Sequence, residues 1–102
     1  MNLVQVFIPS FDIGGARFET SYYKLVYDEL LQQFGGLTAY PRAPATGLWT
    51  DDRKQIELDE IVVFEVMTQN LDRQWWAEYR EKLEVRFAQE EVLIRVLGIE
   101  KL

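Results

Sequence analysis

The chain of 102 residues contains neither cysteine nor histidine. The lack of cysteine excludes disulfide bonds and thiolate chemistry. The lack of histidine removes the usual general base at neutral pH, the usual activator of a serine nucleophile and the commonest ligand of transition metals. A bound metal would have to be a hard cation held by oxygen atoms. We therefore predict no metal site and no cofactor.

Long apolar runs and clusters of basic residues are also missing. No run approaches the roughly 18 apolar residues that a membrane helix requires, and the first residues lack the basic region and cleavage site of a signal peptide. Eleven Lys and Arg residues are scattered among 17 Asp and Glu residues, giving a net charge of −6. Such a chain repels a phosphate backbone. We expect a cytoplasmic protein that binds neither membranes nor nucleic acid.

The residues that are present have the composition of a globular protein, with 48% apolar and 27% charged residues. The length fits one domain over residues 1–102. Stretches rich in β-branched and aromatic residues predict strands at 2–8, 37–40, 56–67 and 92–99. Pro41 and Pro44 interrupt the second strand and place it at a sheet edge, because proline cannot donate a hydrogen bond to a neighbouring strand.

Apolar residues spaced by three and four predict two helices. The first would be capped by Thr20 or Ser21 and would end at residue 34, where Gly35 supplies a left-handed stop. The second would be capped by Asn70 or Asp72 and would run to about residue 87. The residues expected to face the core are Tyr23, Val26, Tyr27, Leu30 and Phe34 in the first helix, and Trp76, Tyr79, Leu83 and Phe87 in the second.

This order of elements predicts an α+β, ferredoxin-like β-α-β-β-α-β fold. Its four-stranded antiparallel sheet would have the order 4-1-3-2, with both helices on one face. Right-handed crossover connections leave few competing topologies.

The two-residue period of strands divides the side chains between the two faces of this sheet. One set is wholly apolar and should pack under the helices: Val4, Val6, Ile8, Val62, Phe64, Val66, Val92, Ile94 and Val96. On the opposite face, each of three strands is apolar with one polar residue at its centre, namely Gln5, Glu65 or Arg95. That face is too apolar to remain in water. We expect a second copy of the chain to cover it, most simply in a homodimer.

With this strand order Gln5 lies between Glu65 and Arg95, and two interpretations remain open. The three side chains could form a structural network, because a buried carboxylate needs a partner. Alternatively they could form the polar centre of a ligand pocket, in which Glu65 is a desolvated base and Arg95 orients an anionic ligand.

The loop that contains Tyr40, Arg42 and Trp49 is a second candidate for ligand contacts. Loops positioned by a rigid sheet often carry such contacts, and this one could be a lid over the pocket. The competing interpretation is an irregular edge strand in which Trp49 fills the rim of the core.

The segments FGGLTAY and RFAQEEVLIRV, together with Trp49 between them, resemble a bacterial family of small uncharacterised proteins. The resemblance covers about the last two thirds of the chain and implies a ferredoxin-like fold, but no activity. The layout more loosely resembles the dimeric α/β-barrel group, which pairs two such sheets face to face. That group includes cofactor-free oxygenases, isomerases and heme-degrading enzymes. Several of them rely on a histidine, which this chain does not have.

Three functional hypotheses follow. The first is a homo-oligomeric domain that binds a small molecule or a partner at the sheet face without helices. The second is a cofactor-free enzyme acting on a small organic substrate, with Glu65 as proton acceptor and Arg95 or Tyr40 stabilising an oxyanion. The third is an acidic accessory protein that binds a basic partner.

Overall fold

The computed structural model describes residues 1–42 and 61–102. Their four antiparallel strands form one sheet with the order β2-β3-β1-β4, which confirms the predicted order. The strands are β1 (Asn2–Pro9), β2 (Thr38–Arg42), β3 (Ile61–Thr68) and β4 (Leu93–Gly98). The part of the third strand predicted at residues 56–60 lies outside the described residues.

Two helices, α1 (Thr20–Phe34) and α2 (Arg73–Arg86), complete the predicted β-α-β-β-α-β order. Asp72, one of the two predicted caps, precedes helix α2, and its side chain accepts a hydrogen bond from the Trp75 N–H at 3.0 Å. Helix α1 ends at Gly35, whose φ of 78° is the left-handed conformation that glycine adopts without strain. The predicted cap by Thr20 or Ser21 is wrong. Helix α1 begins one residue earlier, after Glu19, whose side chain makes no capping hydrogen bond within the described residues.

The core lies between the helices and one face of the sheet, as the strand parity predicted. Val4, Val6 and Ile8 of β1 are fully buried there against Leu30 of α1 and Leu83 of α2. Val92, which immediately precedes β4, and Ile94 within β4 join this core, but Val96 is exposed. Because β4 is an edge strand, one side of Val96 has no neighbouring strand to shield it. Among the residues described here, neither helix is long and apolar enough to cross a membrane.

Candidate functional site on the helix-free face

The face of the sheet opposite the helices, hereafter the helix-free face, carries three hydrogen-bonded polar side chains at its centre. Gln5 of β1 is paired with Glu65 of β3 on one side and with Arg95 of β4 on the other. Nε of Arg95 donates to Oε1 of Gln5 at 2.6 Å, and Nε2 of Gln5 donates to Oε2 of Glu65 at 2.6 Å. The structure therefore brings these predicted residues together in one row, hereafter the polar trio.

The amide of Gln5 separates the two charges of the polar trio. It accepts from the guanidinium and donates to the carboxylate, so each charged group is bound to a neutral partner. The guanidinium also lies over the ring of Phe7, with its central carbon 4.8 Å from the ring centroid. A cation over an aromatic ring is attracted by the ring's quadrupole. Phe7 and Gln5 thus fix the orientation of Arg95, which is exposed, whereas Glu65 is partly buried.

Apolar side chains surround the polar trio. Met67 and Leu93 are 53% and 51% exposed, and Leu97 is 41% exposed. By contrast, Val63 on the same face is only 1% exposed, between Phe7 and Tyr40 in the register of the sheet. Met67 of β3 and Leu97 of β4 are both paired with Leu3 of β1, which lies between those strands. The apolar positions therefore form a continuous row across the face rather than isolated apolar atoms.

The remaining predicted site residues lie at or beyond β2. Tyr40 is paired with Val63, a position on the helix-free face, and it also lines a groove at the sheet edge beside α1. The backbone of Arg42 is paired with Ile61 at the end of β2. Trp49, the side chain of Arg42 and the predicted lid lie outside the part of the chain that the structure describes, so their roles stay predictions.

A depression of about 530 Å³ opens beside Glu65, where the end of α1 meets the sheet. It is hereafter the Glu65 depression. Its lining includes Leu3, Phe34, Leu37, Thr38, Glu65 and Met67. Thr38 is paired with Glu65 in the register of β2 and β3. A residue with a hydroxyl group therefore lies next to the carboxylate of Glu65. The depression connects the polar trio to the C-terminal end of α1.

A second cluster, which the sequence did not predict, joins the two helices through Glu29. Arg86 donates two hydrogen bonds to the Glu29 carboxylate, at 2.6 and 3.0 Å, and the Tyr79 hydroxyl donates a third at 3.0 Å. The ammonium of Lys82 lies 3.0 Å from the same carboxylate. Burial by itself raises the pKa of Glu29, but the hydrogen bonds from these three side chains outweigh burial and lower that pKa to about 2.

The pKa values of Tyr79 and Arg86 in this cluster are raised rather than lowered. Burial, followed by the charge of Glu29, raises the pKa of Tyr79, and the hydrogen bond to Glu29 raises the pKa of Arg86. The tyrosine therefore stays protonated and the arginine stays charged. Every member of the cluster is engaged with another, which is the arrangement of a structural clamp between helices. We assign it to stability.

A third feature that the sequence did not predict is a groove of about 630 Å³ between α1 and the strands β2 and β3. Phe18 and Val62 contribute apolar wall, and Arg17 and Lys24 contribute positive charge. The groove depends on the distance between α1 and the edge of the sheet. The spacing of apolar residues within a helix or strand does not predict that distance.

The fold and the polar trio define an α+β protein of the ferredoxin-like type.

No protein-family model matches the chain, and no curated protein matches it in sequence. Among solved structures, it is similar to CutA1 from Pyrococcus horikoshii, with a TM-score of 0.58 and 16% identity over 100% of this chain and 86% of that one. It is also similar to the divalent cation tolerance protein CutA1 from Thermus thermophilus, with a TM-score of 0.61 and 12% identity over 99% and 86% of the two chains.

Two further neighbours extend this likeness. The periplasmic divalent cation tolerance protein CutA from Archaeoglobus fulgidus has a TM-score of 0.59 and 16% identity over 98% of this chain and 84% of that one. A phage SAM lyase in complex with S-methyl-5'-thioadenosine has the same TM-score and identity over 95% and 80%. At these identities the likeness shows the fold alone. It supports the predicted ferredoxin-like fold, whereas the bacterial family and the cytoplasmic location stay predictions.

Proposed function

We propose that the chain forms a homo-oligomer through the helix-free face and binds a small molecule beside the polar trio. The observation that supports this proposal is the polar trio itself, hydrogen-bonded from end to end and set among exposed Met67, Leu93 and Leu97. An apolar surface with a few ordered polar groups at its centre is typical of interfaces and ligand sites.

The physical case for assembly rests on what burial of this face would gain and cost. Removing a Leu or Met side chain fully from water contributes about 1.5–3 kcal/mol. Burying unpaired polar groups would oppose that gain. Here Gln5 already satisfies one oxygen of Glu65 and the Nε of Arg95, so the internal hydrogen bonds reduce the cost of burying the centre of the face.

The neighbours' names suggest a different role, which we weigh against the site. Three of them are named for divalent cation tolerance or CutA1. Within residues 1–42 and 61–102, no three His, Cys, Asp or Glu side chains are placed to hold a metal ion. We base the proposal on the polar trio and its apolar surroundings. The enzyme and the acidic accessory stay hypotheses, since the described residues add no contact that favours either.

Light scattering coupled to size-exclusion chromatography tests the proposal. We expect the wild-type chain to have a mass that is a multiple of the 12.0 kDa protomer. We expect Leu93→Lys/Leu97→Lys to shift it to the protomer mass, because two cations would be buried without partners. Val85→Lys is the matched control, since Val85 is 83% exposed on α2, and it should keep the wild-type mass.

Two results would contradict the proposal. One is a wild-type chain that elutes as a 12.0 kDa monomer at every concentration tested. The other is a double variant that remains folded by circular dichroism and keeps the full wild-type mass. The second result would mean that the chain assembles through another surface.

A further inference from the structure

The Glu65 depression has two kinds of wall. Leu3, Leu37 and Met67 present apolar atoms, whereas Glu65 and Thr38 present oxygen atoms on neighbouring strands. Its volume of about 530 Å³ lies within the range of about 300–1,000 Å³ that small-molecule sites occupy. A ligand seated here would contact both kinds of wall at once.

Among the described residues, the carboxylate in this depression has no cationic partner. Oε2 of Glu65 accepts a hydrogen bond from the neutral amide of Gln5. Within residues 1–42 and 61–102 the carboxylate forms no ion pair, and Oε1 accepts no hydrogen bond. The guanidinium of Arg95 is held on the far side of Gln5. A partly buried carboxylate whose charge is not neutralised attracts a cation from outside the chain.

The end of α1 adds a second source of negative potential. The last carbonyl groups of a helix lack partners within the helix and together resemble about half a negative charge. Helix α1 has no basic residue in its last turn to offset this charge. The glycines that follow it, Gly35 and Gly36, form part of the wall of the Glu65 depression.

We propose that the Glu65 depression binds an organic cation, with its charged head against Glu65 and Thr38 and its apolar body against Leu3, Leu37 and Met67. This inference rests on the proposed function and names the ligand class of its site. The apolar walls favour an ammonium or similar organic cation over a hard divalent ion, which requires about six or more oxygen ligands or retained waters.

Choline and 3,3-dimethylbutan-1-ol separate charge from shape, because they differ mainly in the nitrogen or carbon at the centre of the same trimethyl head. Each is titrated into the ¹⁵N-labelled full chain, and amide chemical shifts are recorded. We expect choline to shift the amides of Leu37, Thr38, Glu65 and Met67 in a saturable manner. The alcohol should bind roughly tenfold or more weakly, because it lacks the positive charge that the Glu65 carboxylate attracts, although its hydroxyl is the same as that of choline.

Glu65→Gln tests the carboxylate directly while keeping a hydrogen-bond acceptor for Gln5. We expect this variant to bind choline roughly tenfold or more weakly than the wild type, because the negative charge that attracts the ammonium is gone. Glu81→Gln makes the same change of charge at an exposed position on α2 and should bind choline as the wild type does.

Several results would overturn the inference. One is equal binding of choline and the alcohol. The others are a lack of binding by both compounds and unchanged binding of choline by Glu65→Gln. Saturation of the same amides by Mg²⁺ without any response to choline would indicate a hard-ion site instead. Choline binding seen only in the dissociated Leu93→Lys/Leu97→Lys variant would mean that a second copy fills the depression.

Light scattering on the same samples separates this inference from the proposed function. An assembled chain that ignores choline overturns the organic cation and leaves the assembly intact. A monomeric chain overturns the proposed function, whatever the titration shows.

Discussion

Phe87→Ala should lower the free energy of unfolding by about 3–5 kcal/mol, the usual cost of removing a large buried aromatic side chain. Phe87 follows α2, is fully buried, and its ring centroid lies 5.1 Å from that of Phe18 in an edge-on arrangement. The rings of Tyr22 and Tyr23 both lie 5.7 Å away. The cavity would therefore also remove contacts between α2 and the N-terminal half of α1.

Urea unfolding at fixed protein concentration measures this effect, since assembly makes stability depend on concentration. Val85→Ala is the matched control two residues before Phe87, in the last turn of α2, and as an exposed position it should change stability by no more than about 0.5 kcal/mol. Should Phe87→Ala prove too unstable to unfold reversibly, Phe87→Leu provides a smaller cavity with a measurable loss. A loss below about 1 kcal/mol for Phe87→Ala would contradict the packing described here.

Glu29→Gln should destabilise the protein by about 2 kcal/mol at neutral pH and should make its stability fall less steeply than that of the wild type between pH 4.5 and 2. The pKa of Glu29 is lowered from 4.5 to about 2 in the folded protein. A carboxyl group with a lowered folded-state pKa stabilises the fold fully above its unfolded pKa. That contribution is lost as the pH falls through 4.5 towards 2. Solvent screening on the Lys82 side reduces its size below the full shift.

Unfolding experiments across this pH range, with Glu81→Gln as the control, measure the contribution of Glu29. The control removes a carboxylate from an exposed position on α2 and should follow the wild-type pH dependence. If Glu29→Gln retained the wild-type loss of stability between pH 4.5 and 2, that result would contradict a lowered pKa of Glu29 in the folded protein.

The fold was largely predictable because local periodicities determine which face each residue occupies. The two-residue period placed Gln5, Glu65 and Arg95 on one side of the sheet, and adjacent strands then brought them into hydrogen-bond contact. The Asp72 cap was predictable because it is a local contact. The Asp72 side chain accepts a hydrogen bond from the N–H of Trp75, only three residues later. The first helix cap was not predictable, because helix α1 begins after Glu19, which makes no side-chain cap within the described residues.

The clamp at Glu29 could not be predicted from spacing. Arg86 lies 57 residues away along the chain, and their contact depends on how α1 and α2 pack on the sheet. The available signal is indirect: Glu29 is three residues after buried Val26, and Arg86 is three residues after buried Leu83. Each charge is therefore at the border of an apolar stripe, where two packed helices meet.

The same reasoning explains why the sequence offered a pocket around Glu65 as one interpretation but did not predict the wall that the end of α1 contributes to the Glu65 depression. The sequence predicted the residue's face from strand parity, but the depression also requires the end of α1 to reach β3. Its wall combines Gly35 with Met67, which are far apart in sequence. The two-residue period predicts which residues are neighbours on one face of the sheet. It does not predict where along the sheet a packed helix ends.

The central claim is that two copies of the chain meet at the helix-free face. Isotope-filtered nuclear Overhauser measurements on a mixture of ¹³C-labelled and unlabelled chains test it most directly, because they detect only contacts between copies. We predict intermolecular signals from the methyl groups of Met67, Leu93 and Leu97. Signals confined to Leu25, Leu31 and Val85 on the helices, or no intermolecular signals, would contradict the account.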